Sequence, residues 1–118
     1  MQDCKVNILG TEYTIRYDRA NDKELIPKDR AGYCYYHKKL IVIEDLDTDE
    51  DWKDEEEFPK EEYRKELLRH EITHAFMYES GLGQNSAEIS AWATNEEMID
   101  WFAKQYPKIN KVFTELGI

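Results

Sequence analysis

Between Pro59 and Gly81 the chain runs from Lys60 to Ser80 without a glycine or a proline. A stretch of that length with Leu68, Ile72, Ala75 and Phe76 on one side has the 3.6-residue period of an amphipathic helix. Pro59 stands near its first turn with acids beside it, and Gly81 supplies the stop. The rest of the fold must pack around this helix. Upstream, Val6 and Ile8, then Tyr13, Ile15 and Tyr17, alternate with polar residues, with Gly10-Thr11 between the runs. This is the pattern of a β-hairpin. Gly32–Tyr36 and Leu40–Ile43 are β-rich and flank a turn at His37-Lys38-Lys39, which predicts a second hairpin. Downstream, a second helix is expected from about Asn95 to Tyr106, with Ile99, Phe102 and Ala103 on one side. Pro107 should end it or open a short last helix from Lys108 to Leu116. Strands followed by helices predict an α+β domain: a small N-terminal antiparallel sheet of two hairpins packed on two helices. A length of 118 residues suits one such domain spanning 1–118.

Charge narrows the partners. The formal net charge is −10, which argues against binding a nucleic-acid backbone or an anionic membrane. The charge is concentrated. Residues 44–57 hold ten acids and Lys53, so they carry −9 and leave the remainder at −1. The segment reads as a solvated loop held open by self-repulsion. Asp45, Asp47, Asp49, Asp51, Lys53 and Glu56 also fall at the ligand spacing of an EF-hand loop, but Glu50 occupies the position that calls for glycine. A third reading is an acidic decoy surface that mimics nucleic acid. No apolar run approaches the ~18 residues of a membrane span, and the N-terminus lacks the pattern of a signal peptide. Cys4 and Cys34 make a poor disulfide framework. A cytoplasmic setting with reduced thiols is expected.

The chemistry concentrates at His70-Glu71-Ile72-Thr73-His74, an H-E-x-x-H motif in its required helical setting. Histidines four apart lie on one face, one turn above the other, where both imidazoles can reach one metal ion. Glu71 lies about 100° round the helix from His70. It is placed to take a proton from a water activated by the ion. A third ligand is needed, and Glu96, at the start of the second helix, is the first candidate, with Glu97 and Glu88 as alternatives. Asp100, one turn beyond Glu96, can accept the outer N–H of a metal-bound imidazole. Tyr78, four residues past His74, and the cluster Tyr35, Tyr36 and His37 are candidates to stabilise an oxyanion. Other outcomes fit the same residues. One is a metal-stabilised binding module without catalysis. Another is the acidic decoy with a vestigial motif.

H-E-x-x-H followed by Asn95-Glu96 and Asp100 resembles the gluzincin pattern of thermolysin-type zinc peptidases. The stretch from Glu96 to Ala103 is similar to a segment of ImmA/IrrE-like metallopeptidases. The wider sequence from Leu67 to Ile109 resembles small neutral zinc metallopeptidases of bacteriophages. These resemblances imply a minimal zincin-like fold and zinc held by His70, His74 and Glu96. They also imply that Glu71 acts as general base in peptide-bond hydrolysis, with a peptide or regulatory protein as substrate. They further imply a substrate bound in extended form along an edge strand, for which Leu40–Ile43 is the candidate.

Overall fold

The structure is a computed structural model that describes residues 2–20, 25, 30–83 and 91–118. Strands β1 (Cys4–Ile8) and β2 (Thr11–Arg19) form the expected first hairpin, antiparallel with Ile8 opposite Thr11. Its two-residue loop is Leu9-Gly10, and both residues have positive φ, at 50° and 92°. Two positive φ values match the right-handed twist of the flanking strands. Gly10 takes this conformation freely, whereas Leu9 does so with its side chain 58% exposed. Strands β3 (Gly32–Tyr35) and β4 (Leu40–Asp45) form the second antiparallel pair.

The two hairpins join through a parallel pairing of β2 with β4, which sets Thr14 beside Leu40 and Arg19 beside Asp45. The sheet is therefore mixed, in the order β1-β2-β4-β3, rather than purely antiparallel. The parallel join moves β4 to the interior. Ile41, Val42 and Ile43 are fully buried, as a central strand covered on both faces requires. Among the described residues the edge near the long helix is β3, so Leu40–Ile43 does not offer the edge expected of it.

Helix α1 (Glu57–Glu79) lies across the sheet. Ile8, Tyr13, Ile15, Ile41 and Ile43 meet Ala75 in the main core, with Leu67, Leu68 and Ile72 packed against it. Phe76, expected in the apolar stripe, is instead 41% exposed. Polar contacts fix both ends of α1. Near the start, the buried Lys60 and Arg64 meet Asp47 Oδ1 at 2.6 and 3.3 Å, and Arg64 also meets Glu57 and Glu61. Residues 44–57 are thus not a loop held open by repulsion. They run through the end of β4, a 3₁₀ turn at Leu46–Thr48 and further turns into the helix, and Asp47 is tied to it. At the other end, Glu79 accepts from Lys39 Nζ at 2.6 Å, Tyr13 Oη at 2.7 Å and Thr11 Oγ1 at 3.2 Å.

Helix α2 (Glu96–Leu116) begins at Asn95, whose side chain accepts from the Met98 N–H at 2.9 Å. It packs against α1 through Ile99 and Ala103, both buried. It does not end at Pro107 but runs on to Leu116. A proline removes the donor that the carbonyl four residues back would use, here that of Ala103. Arg69 Nε of α1 donates to that carbonyl at 2.6 Å. An inter-helix donor satisfies the group the proline leaves open, so the helix continues. Among the described residues, no helix is long and apolar enough to cross a membrane.

Candidate metal centre

α1 presents His70 and His74 on the side facing the start of α2. Their Nε2 atoms are 3.2 Å apart. The Glu96 carboxylate spans the pair: Oε1 lies 3.0 Å from His74 Nε2 and Oε2 lies 3.2 Å from His70 Nε2. Asp100 Oδ1 lies 2.7 Å from His70 Nδ1. With a carboxylate accepting from Nδ1–H, the neutral ring keeps its lone pair on Nε2, pointed at the cluster. Glu96 and Glu97 are both exposed on the first turn of α2, and Glu96 is the carboxylate that meets both histidines. Glu88 lies outside the described residues.

Glu71 is set apart. Its side chain is buried, with Oε1 3.9 Å from His70 Nε2. Burial pushes its carboxyl pKa up to about 8, the negative charge of Glu96 adds to the rise, and Arg30 partly offsets it. Burial likewise lowers the pKa of His74, favouring a neutral imidazole. Gly32 lies beside this side chain, where the close approach of β4 leaves no room for a Cβ. A Cβ there would come within 2.9 Å of the Val42 carbonyl oxygen and 3.4 Å of Glu71 Cγ. Sequence reasoning did not single out Gly32, and its signal, a glycine opening a β-rich run, is too common to read alone.

The donors fit a metal ion. His70, Glu71 and His74 offer ligand atoms all within 4.8 Å of one another. Ligand atoms about 2.0–2.1 Å from a tetrahedral zinc are themselves about 3.3–3.4 Å apart. The His70 and His74 Nε2 atoms, 3.2 Å apart, lie close to that spacing, and the Glu96 carboxylate reaches each of them through a different oxygen, at 3.2 and 3.0 Å. Two neutral imidazoles and one carboxylate are also the three protein ligands of a common catalytic zinc set. Electrostatics point the same way. Three carboxylates, Glu71, Glu96 and Asp100, surround two imidazoles, and a divalent cation would relieve their mutual repulsion.

The cluster opens onto a cleft of about 750 Å³. One wall is β3, with Gly32, Tyr33 and Cys34. The other carries Tyr63, Glu66 and Leu67 of α1. Arg30 and Lys104 stand at its margins. Tyr36 lines this cleft and also a smaller pocket of about 200 Å³ beside His74. Tyr78 lines only the smaller pocket, with its ring stacked on Tyr36 at 4.3 Å. Tyr35 is exposed and lines neither pocket, and His37 makes an edge contact with Tyr36. Of the tyrosines considered for oxyanion stabilisation, Tyr36 is the one that faces the cleft.

No protein-family model, no curated protein and no solved structure matches the chain.

Proposed function

We propose that this protein is a metal-dependent peptidase, with zinc held by His70, His74 and Glu96. The observation that carries the reading is the Glu96 carboxylate spanning both Nε2 atoms at 3.0 and 3.2 Å, with the buried Glu71 standing just outside. When bound, the metal supplies Lewis acidity toward a carbonyl and lowers the pKa of a water to near 7. The rest belongs to the chain. Asp100 orients His70 through Nδ1. Glu71 holds the proton taken from water and returns it to the leaving amine. Burial and the Glu96 charge raise its pKa in the metal-free protein, and a bound cation would lower it again. Burial keeps the Tyr36 hydroxyl protonated, so it serves as a donor toward a developing oxyanion.

The edge position of β3 supports a peptide as the substrate class. An extended backbone can pair with it and lie across the cleft with little demand on sequence. An open cleft beside the donors favours an enzyme over a closed metal staple. The deciding experiment measures bound metal and hydrolysis of a quenched-fluorescent peptide library side by side. Glu71→Gln should keep one metal per chain and lose hydrolysis by at least about a thousandfold. Full activity in that variant, or no metal bound by the wild type, would overturn the reading.

A further inference from the structure

Beyond Ala103, α2 leaves the body of the protein. Phe102, Tyr106, Phe113 and Leu116 are 37%, 43%, 50% and 67% exposed, and Val112 is 52% exposed. They are not scattered. Ile99, Phe102, Tyr106, Ile109, Phe113 and Leu116 follow one another at spacings of three, four, three, four and three. This is the a/d seam of a heptad repeat. The positions flanking the seam are Ala103, Gln105, Asn110 and Val112, none of them charged, so the seam is bordered by nothing that resists burial. Phe102 and Tyr106 already lean together, ring centroids 5.6 Å apart. Ile99 is spent on α1, where it is fully buried. Phe102 and Ile109 are partly covered, whereas Tyr106, Phe113 and Leu116 stand exposed.

We propose that this seam is a self-association surface: two copies of the chain pair through α2 in antiparallel fashion about a two-fold axis. Three observations select a second copy. The first is the pattern, since the heptad spacing of this face suits another helix of the same spacing better than a flat surface. The second is area. At the exposures above, the seam residues and Val112 leave on the order of 600 Å² open per copy, near the ~800 Å² per partner of a standard interface. The third is charge. Residues 104–118 carry Lys104, Lys108 and Lys111 against Glu115, or +2, in a chain of formal charge −10. The projecting half is thus the part of an acidic molecule that another acidic copy can approach with attraction.

The same charge selects the orientation. Parallel pairing would set the two acidic bodies side by side, and antiparallel pairing sets them at opposite ends of the seam. Facing a against d then brings Phe102 opposite Phe113 of the second copy and Tyr106 opposite its Ile109. A two-fold axis closes the assembly at two chains.

Sedimentation equilibrium of the full chain tests this. The wild type should give twice 14.1 kDa at tens of micromolar. Phe113→Glu and Ile109→Glu should each give the monomer mass, with helical circular dichroism and metal binding unchanged. In a Cys4→Ser background, chains carrying Phe102→Cys should form a disulfide with chains carrying Phe113→Cys far faster than either forms one with its own kind. A monomeric wild type at 200 µM would overturn the proposal. So would a dimer that both glutamate variants leave intact. Monomers that float with zwitterionic vesicles would overturn it too, assigning the face to a membrane surface. Equal cross-linking of like and unlike cysteine chains would overturn the antiparallel arrangement.

Discussion

Helix α1 carries polar clusters of two kinds. At its ends, cations pair directly with carboxylates. Lys60 and Arg64 face Asp47, Glu57 and Glu61, and Glu79 faces Lys39 with two hydroxyls. In its middle, His70, Glu71 and His74 face Glu96 and Asp100, and the cation that acts on Glu71 is Arg30, which lines the same cleft. The paired clusters lower the pKa values of their acids, Asp47 and Glu79. The middle cluster raises that of Glu71. The clusters at the ends hold the helix on the sheet. The middle one leaves carboxylates without a directly paired cation, an arrangement more common at binding and catalytic sites than at structural ones.

Perturbing each cluster sharpens the contrast, and the largest effect should come from the middle one. Zinc at a thousand times its Kd should stabilise the wild type by about 4 kcal/mol. Thermal melts with and without chelator measure the gain, and His74→Ala should lose nearly all of it. A somewhat smaller effect should appear in metal-free protein as a function of pH. A carboxyl whose folded pKa is raised favours folding below its unfolded value, near 4.5. It loses that contribution as pH climbs through about 8. Metal-free wild type should therefore weaken by on the order of a few kcal/mol between pH 5 and 9. Glu71→Gln should flatten the profile, and urea titrations across that range would read the difference.

The clusters at the ends should respond in the opposite sense. Glu79→Gln should cost about 1–3 kcal/mol at pH 7, because it loses the charge that three donors share. Here the folded pKa is lowered, chiefly by Lys39 and then by the Tyr13 hydroxyl. The contribution is present above the ordinary glutamate pKa and fades as pH falls through the folded value. The variant and wild type should converge in melts near pH 3. The smallest effect belongs to Asp47→Asn. This carboxylate is more than half exposed, so the change should stay within the scatter of ordinary surface substitutions. A loss comparable to that of Glu79→Gln would show that exposure is a poor guide to the worth of a paired cluster.

Much of this arrangement is legible in the sequence because it is local. A run from Lys60 to Ser80 without breakers specifies α1, and i, i+4 spacing alone sets His70 beside His74. Alternation marks β1 and β2, β-rich runs mark β3 and β4, and the order of strands before helices predicts the α+β class. What escaped is what depends on distant partners. Two hairpins can join along either edge, and nothing local says that β2 will pair parallel with β4 and bury the strand expected at the edge. Residues 44–57 look uniformly repulsive until Lys60 and Arg64, a dozen or more residues on, are folded back onto Asp47. Tyr78 and Tyr36 are both candidates in the sequence, but no local spacing says that Tyr36, from a turn in the sheet, is the one facing the cleft.

The bond from Arg69 to the Ala103 carbonyl ties together the fates of two positions 38 apart. While Pro107 is present, losing Arg69 strands the Ala103 carbonyl at the interface of α1 and α2. Once Pro107 is exchanged for a residue with an N–H, that carbonyl has a donor of its own and Arg69 becomes dispensable. The two substitutions are therefore tolerated in one order and not in the other. A lineage that keeps the proline is held to the arginine, and it can drift away from both only by releasing the proline first.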